Sequence, residues 1–358
     1  MATDVDAPDE PATAPDSGVP LYAALPRPVF WARVVIGGVL AFAALYAPWY
    51  FQPVDNKVLS QALYLAVAAM GLNLLTGFTG QVSIGHGAFF GVGAFTTAIL
   101  MVDHGWTFEA TIPIAALLTA TFGVLVGFPA LRVRGLYLAL VTLGLAVLFP
   151  QVASKYVKGS GNIALVQPRR REFSSLLDGL EDDQWKYYVC LAVVVVLYLV
   201  AWNLTRARPG RAMVAVREQE LAAATVGVNL AGTKLWAFGL SAAYAGIAGS
   251  LSVMVDGSAN ATNPALYFRL SIEFLVALVI GGTATILGPL VGALIVVLLR
   301  RNTEDLIEGK EVLSPAIFGG ALILLVYVLP DGVVGGIRRL FARVGSRRAS
   351  VEVAPEPT

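Results

Sequence analysis

Three hydrogen-bonding side chains, Gln81, Ser83 and His86, interrupt an apolar part of the sequence within the stretch TGFTGQVSIGHGAFFGVGAF at residues 76–95. Six glycines accompany them. Irregular backbone at membrane depth persists only where protein or water surrounds it, and the ends of broken helices carry partial charges that suit a zwitterionic or polar solute. We therefore predict that these side chains line a translocation path. Two simpler interpretations stay open: the glycines serve close helix packing, and His86 is a structural hydrogen-bonding group.

A second interruption, GGTATILGP at Gly281–Pro289, divides the apolar interval between Arg269 and Arg301. Glycine weakens helix interiors and proline removes a backbone donor, so we expect two short segments forming a hairpin, with one tilted and kinked span as the alternative. Both interruptions pass from a glycine cluster through small residues into an apolar helix, which suggests two related halves. Three residues of the second interruption join the predicted path: Gly281, Gly282 and Thr283.

No constellation of residues for catalysis or metal binding is evident in the sequence. Two histidines far apart do not form a zinc site, and the one cysteine, Cys190, is expected as a small core residue. Glu273 follows Arg269 by four residues, a spacing that predicts a local ion pair on one helix face. No G-x-x-x-x-G-K-[ST] loop occurs. We predict that the chain is not an enzyme, binds no metal or cofactor and does not hydrolyse a nucleotide alone.

The composition of the chain sets the fold class that must position these residues. Of 358 residues, 57% are hydrophobic and only 14% are charged, whereas soluble domains carry about 25% charged residues. A bilayer core of about 30 Å needs roughly 20 apolar residues per helix. We predict an all-α polytopic membrane protein with about ten transmembrane helices, including short broken or re-entrant segments. The expected spans are residues 31–51, 57–75, 82–102, 110–131, 135–153, 186–204, 234–255, 269–282, 286–300 and 313–330.

The distribution of lysine and arginine orients these spans. With ten spans, the basic groups near span one, between spans four and five, after span six and after the last span share one side, the cytoplasm, with both termini. The connection Lys155–Lys186 is assigned outside although it contains Arg169–Arg171. Composition also predicts disordered tails at residues 1–28 and 341–358 around a membrane domain at 29–340. A net charge of +1 gives no indication of a nucleic-acid partner.

The cytoplasmic loop after span six, residues 205–234, is the most informative connection. Good helix formers dominate residues 212–226, and Gly227 has the position of a helix stop, so we expect one short surface helix. Its expected solvent face comprises Arg217, Glu218 and Glu220, and its expected packing face comprises Met213, Val216, Leu221 and Ala224. Two interpretations are open: the helix rests on lipid headgroups, or it docks into a groove of a cytosolic partner.

Four separated segments carry a family resemblance. They are residues 76–95, LRVRGLYLALVTLG at Leu131–Gly144, AVREQELAAATVGVNLAGTKLWAFGLSAAYAGIAGSL at Ala215–Leu251 and GGTATILGPLVGA at Gly281–Ala293. Together they resemble the branched-chain amino acid ABC transporter permeases of the M type, over roughly Val58–Asp331. The Glu-x-Ala-Ala-x-x-x-Gly element of the third segment resembles the coupling loop of ABC importer permeases.

The resemblance implies a permease subunit that imports branched-chain or related hydrophobic amino acids across a bacterial cytoplasmic membrane. It implies a homologous H-type permease subunit, two cytosolic ABC ATPases that use ATP, and an extracytoplasmic solute-binding protein. It also implies that the ATPase is coupled through the loop helix, whose candidate residues are Arg217, Glu220, Ala222, Ala223 and Gly227. The external stretch Lys158–Phe173 departs from the family pattern, which leaves urea, amides or another small solute as alternatives. A stand-alone channel or secondary carrier is the alternative from another class.

Overall fold

The computed structural model describes residues 38–39, 42–50, 52–131, 135–156, 165–166, 181–263, 265–305, 319–320, 323–324, 327 and 332–336. Backbone contacts divide the chain into two compact units, Met1–Ala47 and Pro48–Thr358, and the second unit is described below. The expected tails at 1–28 and 341–358 lie outside the described residues, as does most of the expected span 313–330.

Helices account for nearly all of the described second unit. They are α1 (Pro53–Leu72) with a π-helical turn (Asn73–Gly77), α2 (His86–His104), α3 (Phe108–Ala130), α4 (Leu136–Tyr156), α5 (Asp182–Arg206), α6 (Arg208–Glu218), α7 (Glu220–Thr225), α8 (Leu230–Asp256), α9 (Leu266–Gly281) and α10 (Gly288–Asp305). Two strands of two residues, β1 (Leu165–Val166) and β2 (Ala259–Asn260), pair antiparallel. Six of the described helices, α1 to α5 and α8, are long and apolar enough to cross a membrane. The all-α polytopic fold is thus confirmed.

Helices α9 and α10 form a hairpin and not one kinked span. Gly281 lies against Gly288, and Gly292 lies against the Ala277 carbonyl, so the two helices run antiparallel from a tight turn. No side chain separates the backbones at these points, which allows the close approach. The hairpin expected from Gly281–Pro289 is therefore confirmed.

Helices α1 and α8 form the centre of the bundle. In each of these two helices, 83% of an apolar 18-residue stretch is buried inside the protein. The corresponding share is 22–33% in α3, α4 and α5. The outer helices expose large apolar side chains such as Leu117, Leu125 and Val196, as lipid-facing helices do. Helix α8 contacts α1, α2 and α3, and small residues bring it close: Gly249 lies against the Phe90 carbonyl of α2. The functional residues are therefore positioned by a tightly packed interior.

The bundle has two ends, and we name each one after the end of α8 that lies there. Its first residue, Leu230, marks the loop end, and its last, Asp256, marks the Asp256 end, about 40 Å away for 27 residues. Helix α1 runs antiparallel to α8, since Tyr64 contacts Asp256 and Gly71 contacts Ser241. Its π-helical turn consequently lies toward the loop end.

Candidate functional site

The first break in the helices comprises residues 80–85, between the end of α1 and the start of α2. Gly80 adopts φ +73°, a left-handed conformation that glycine tolerates without strain, and the chain then runs without regular structure to His86. Ser83 and His86 are fully buried and Gln81 is 9% exposed. The polar side chains of the break are thus enclosed by protein, whereas Gly80 and Val82 beside them are exposed.

His86 is held by hydrogen bonds to two serines. Its Nε2 lies 2.6 Å from Ser241 Oγ, and that hydroxyl donates to the Gly71 carbonyl at 2.6 Å. Because a hydroxyl has one hydrogen to donate, His86 Nε2 must carry the hydrogen in its bond to Ser241. On the other side of the ring, Nδ1 lies 3.5 Å from Ser83 Oγ. The imidazole therefore links the first break to α1 and α8.

The second break comprises residues 282–287, at the tip of the α9–α10 hairpin. Gly281 and Gly282 are buried, Thr283 is exposed, and Gly282 and Ala284 have positive φ. These predicted path residues do not contact Ser83 or His86 through any hydrogen bond among the described residues. The second break instead contacts the π-helical turn at the end of α1.

Asn73, a residue that the sequence interpretation missed, links the π-helical turn that precedes the first break to the second break. Its Nδ2 donates to the Thr285 carbonyl at 2.7 Å, and its Oδ1 accepts from Ala284 N–H at 2.9 Å. Asn73 is fully buried and begins the π-helical turn, a feature often found at functional sites. A Cβ at Gly77 would collide with the Asn73 carboxamide, so the glycine makes room for this link. The sequence signal that could have identified Asn73 was a polar amide inside an apolar span.

The loop segment, residues 207–229, contains two helices where one was expected. Gln219 is extended and separates α6 from α7, whereas α8 begins already at Leu230. An unbroken helix would place Glu220 two turns after Met213, on the buried face. The break instead directs its carboxylate to Lys234 Nζ at 2.5 Å.

The faces of the loop segment differ partly from the prediction. Met213 and Val216 are buried as expected, but Leu221 is 81% exposed and Ala224 is exposed as well, so placing these two on the packing face was wrong. Their place is taken by Ala223, which is buried. Because the extended Gln219 interrupts the helix, the apolar residues of α7 do not continue the buried face of α6.

Gly227 ends α7 as predicted. It adopts φ +86°, and its N–H donates to the Ala224 carbonyl while Val228 N–H donates to the Ala223 carbonyl. These two bonds form a Schellman motif, which satisfies the last carbonyls of the helix. Ala222, Leu221 and Val226 stay exposed beside it, with Val226 78% exposed. The segment therefore presents a small apolar surface at the loop end.

Arg217 connects the loop segment to the first break. Its Nη1 donates to the Gly77 carbonyl at 2.7 Å, and its side chain lies against Gly80. Gly77 is in turn adjacent to Asn73 and Ala284. The loop segment, the first break and the hairpin tip thus form one contiguous set of contacts.

Comparison with known proteins identifies the family. Residues 56–326 match the family described as branched-chain amino acid transport system / permease component. The chain belongs to this family. This permease is 32% identical over 322 residues to the high-affinity branched-chain amino acid transport system permease protein LivM of Escherichia coli K12, covering 83% of this chain and 74% of the relative. The resemblance predicted from the four segments is confirmed.

Two further relatives show the breadth of the similarity. The permease protein LivH of the E. coli K12 branched-chain system is 25% identical over 309 residues, covering 80% of this permease and 96% of the relative. The ribose import permease protein RbsC of Haemophilus influenzae is 25% identical over 317 residues, covering 83% and 91%. No solved structure matches. This permease is therefore similar to relatives named for different solutes.

Proposed function

We propose that this permease is the membrane subunit of an ABC importer that moves branched-chain or related hydrophobic amino acids, with work supplied by two separate ATPases. The relatives named for branched-chain transport support the solute class. The resemblance to paired M-type and H-type subunits supports a heterodimer with a homologous permease, and a solute-binding protein that delivers the amino acid from outside. Under this proposal the loop end faces the cytoplasm.

The observation that carries the coupling part of the proposal is the contact of Arg217 with the Gly77 carbonyl. An ATPase that docks on the exposed apolar surface of α7 would press on the loop segment. Arg217 would pass this displacement to Gly77, and Asn73 would pass it to Ala284 and Thr285 at the hairpin tip. Both breaks would then move together, because packed elements switch between discrete arrangements.

The residues proposed for the path would become accessible in this motion. Gln81 and Ser83 lie on the first break, His86 begins the helix that follows it, and Gly281 and Thr283 lie at the hairpin tip. A joint displacement of the first break and the hairpin tip against the rest of the bundle would open a path beside them. A permease of this kind has no need to bind its solute tightly, since a binding protein can supply the affinity.

The test reconstitutes the assembled importer, with both permeases, both ATPases and the binding protein, into proteoliposomes and measures uptake of radiolabelled leucine. We expect uptake to need ATP and to fall in Gly227→Ala, because an alanine at φ +86° strains the cap of α7. Gly105→Ala is the matched control: Gly105 caps α2 at the Asp256 end with φ +64°, and its Cβ likewise meets no atom. ATP-independent uptake that survives Gly227→Ala would contradict the importer proposal and favour a channel or secondary carrier.

A further inference from the structure

A cavity of about 370 Å³ lies at the Asp256 end, between α1, α2, α8, α9 and α10. Small-molecule pockets commonly span about 300–1,000 Å³, so its size suits one amino acid. It lies at the end of α8 opposite the loop segment and on the base of the hairpin whose tip contacts Asn73. The cavity is thus distinct from both breaks, yet the hairpin joins it to them.

One wall of the cavity carries a carboxylate. Asp256 accepts hydrogen bonds from Gln61 Nε2 at 3.0 Å and from the Tyr64 hydroxyl at 3.1 Å. Its nearest cation is Lys57 Nζ at 4.0 Å, on a side chain that is half exposed. The Asp256 side chain is itself 33% exposed, so a cationic group in the cavity can reach it.

Positive charge is supplied to the cavity by two arginines that share one carboxylate. Arg269 Nε lies 3.4 Å from Glu273 Oε1, which confirms the ion pair predicted from their spacing, and Arg300 Nη1 lies 3.2 Å from Glu273 Oε2. Glu273 is buried, whereas Arg269 and Arg300 both line the cavity. Two positive charges facing one negative charge leave a net positive charge beside the cavity.

The side chain of Gln61 lies between the negative charge of Asp256 and the positive charge of Arg300. Its Nε2 donates to Asp256, while its Oε1 accepts from Arg300 Nη2 at 3.2 Å. Among the described residues, Asp256 makes no direct ion pair with either arginine of the cavity. An amide spacer keeps the charges from neutralising each other, and both are presented to one small space.

The remaining lining is partly apolar, with Phe90, Ala94, Leu266 and Leu270 among its residues. We propose that this cavity receives the zwitterionic headgroup of a hydrophobic α-amino acid, with Asp256 meeting the ammonium group, Arg269 and Arg300 meeting the carboxylate, and the apolar lining meeting the side chain. This inference rests on the proposed function and names the receiving site for its solute. A sugar offers no charges to satisfy this arrangement, so the cavity would exclude it.

The experiment measures ligand binding by saturation-transfer NMR on the assembled permease–ATPase complex in detergent, without ATP or binding protein. The probes are leucine, 4-methylpentanoate, which lacks the ammonium group, and leucinol, which lacks the carboxylate. In Asp256→Asn we expect leucine affinity to fall about tenfold or more while that of 4-methylpentanoate stays unchanged. In Arg269→Gln we expect leucine affinity to fall while that of leucinol stays unchanged. Arg269 is chosen because Arg300 still pairs with Glu273 in that variant.

The matched control is Asp103→Asn, which removes an exposed carboxylate near the end of α2 without touching the cavity. It should leave all three affinities as in the wild type. A uniform loss for every probe in Asp256→Asn, or no saturable leucine signal in the wild type, would overturn the inference. Ribose competing with leucine would overturn it as well. ATP-driven leucine uptake is measured in parallel to separate this inference from the proposed function. If uptake is intact but the variants do not change leucine binding, the cavity site is rejected while the importer function stands.

Discussion

The guanidinium of Arg217 donates to the backbone carbonyl of Gly77 at 2.7 Å, although the two residues are 140 positions apart in sequence. One residue belongs to the surface segment between α5 and α8, and the other belongs to a π-helical turn at the end of a central helix. A charge-assisted hydrogen bond of this kind is stronger than a neutral one. The contact makes the loop segment and the interior of the bundle mechanically continuous.

Asn73 should be essential for the stability of this interior. In Asn73→Ala, the Thr285 carbonyl and the Ala284 N–H lose their partners in a partly buried place. We expect the free energy of unfolding to fall by about 2 kcal/mol, measured as a lower thermal midpoint in detergent. Asn203→Ala, at an exposed position of α5, is the control. An unchanged midpoint for Asn73→Ala would show that the link between α1 and the hairpin tip contributes nothing to stability.

A pair of glycine substitutions should have opposite effects on stability. A Cβ at Gly87 would collide with the Tyr267 carbonyl and the Ser271 hydroxyl of α9, whereas a Cβ at Gly144 in α4 would meet nothing within 4 Å. Gly87→Ala should therefore cost about 1–3 kcal/mol by forcing α2 and α9 apart. Gly144→Ala should be neutral or stabilise by up to about 1 kcal/mol, because alanine favours the helix. Equal thermal midpoints for the two variants would contradict the close packing of α2 on α9.

The spans and the hairpin were predictable because apolar blocks and their Gly/Pro interruptions are local signals. The expected spans 269–282 and 286–300 correspond to α9 and α10, and 110–131 corresponds to α3 within a few residues. The break after Gly80 was predictable for the same reason. Helix ends shifted, however: 82–102 was expected to be helical from its start, but α2 begins at His86 because residues 80–85 enter the protein without regular structure.

The links between distant residues could not be predicted from one sequence. Asn73 lies in an apolar run, and nothing local shows that its amide faces a turn more than 200 residues later. The cluster of Gln61, Asp256 and Arg300 combines three helices, and each residue alone resembles a polar span end. Local periodicity also failed at Gln219, whose extended backbone divides a segment of good helix formers into two helices.

Labelling of an engineered cysteine should decide whether the first break lines the path. The only natural cysteine, Cys190, is buried, so Cys190→Ala gives a cysteine-free background. In that background Ser83→Cys, at a fully buried position, should react with a water-soluble thiol reagent only while the importer turns over ATP. Ala245→Cys, buried on α8, should stay unreactive in both conditions. Ser83→Cys that never reacts would assign Ser83 and His86 a purely structural role.

The most direct measurement of the coupling proposal is the number of leucine molecules imported per ATP hydrolysed in proteoliposomes containing Arg217→Ala. Losing one charge-assisted hydrogen bond should lower this ratio about tenfold, while ATPase subunits still copurify with the permease. Arg217→Lys should recover part of it. Arg211→Ala should match the wild type, because the hydrogen bond that Arg211 makes among the described residues goes to the Arg206 carbonyl at the nearby end of α5. A wild-type ratio in Arg217→Ala would contradict the account that the loop segment drives the two breaks through Gly77.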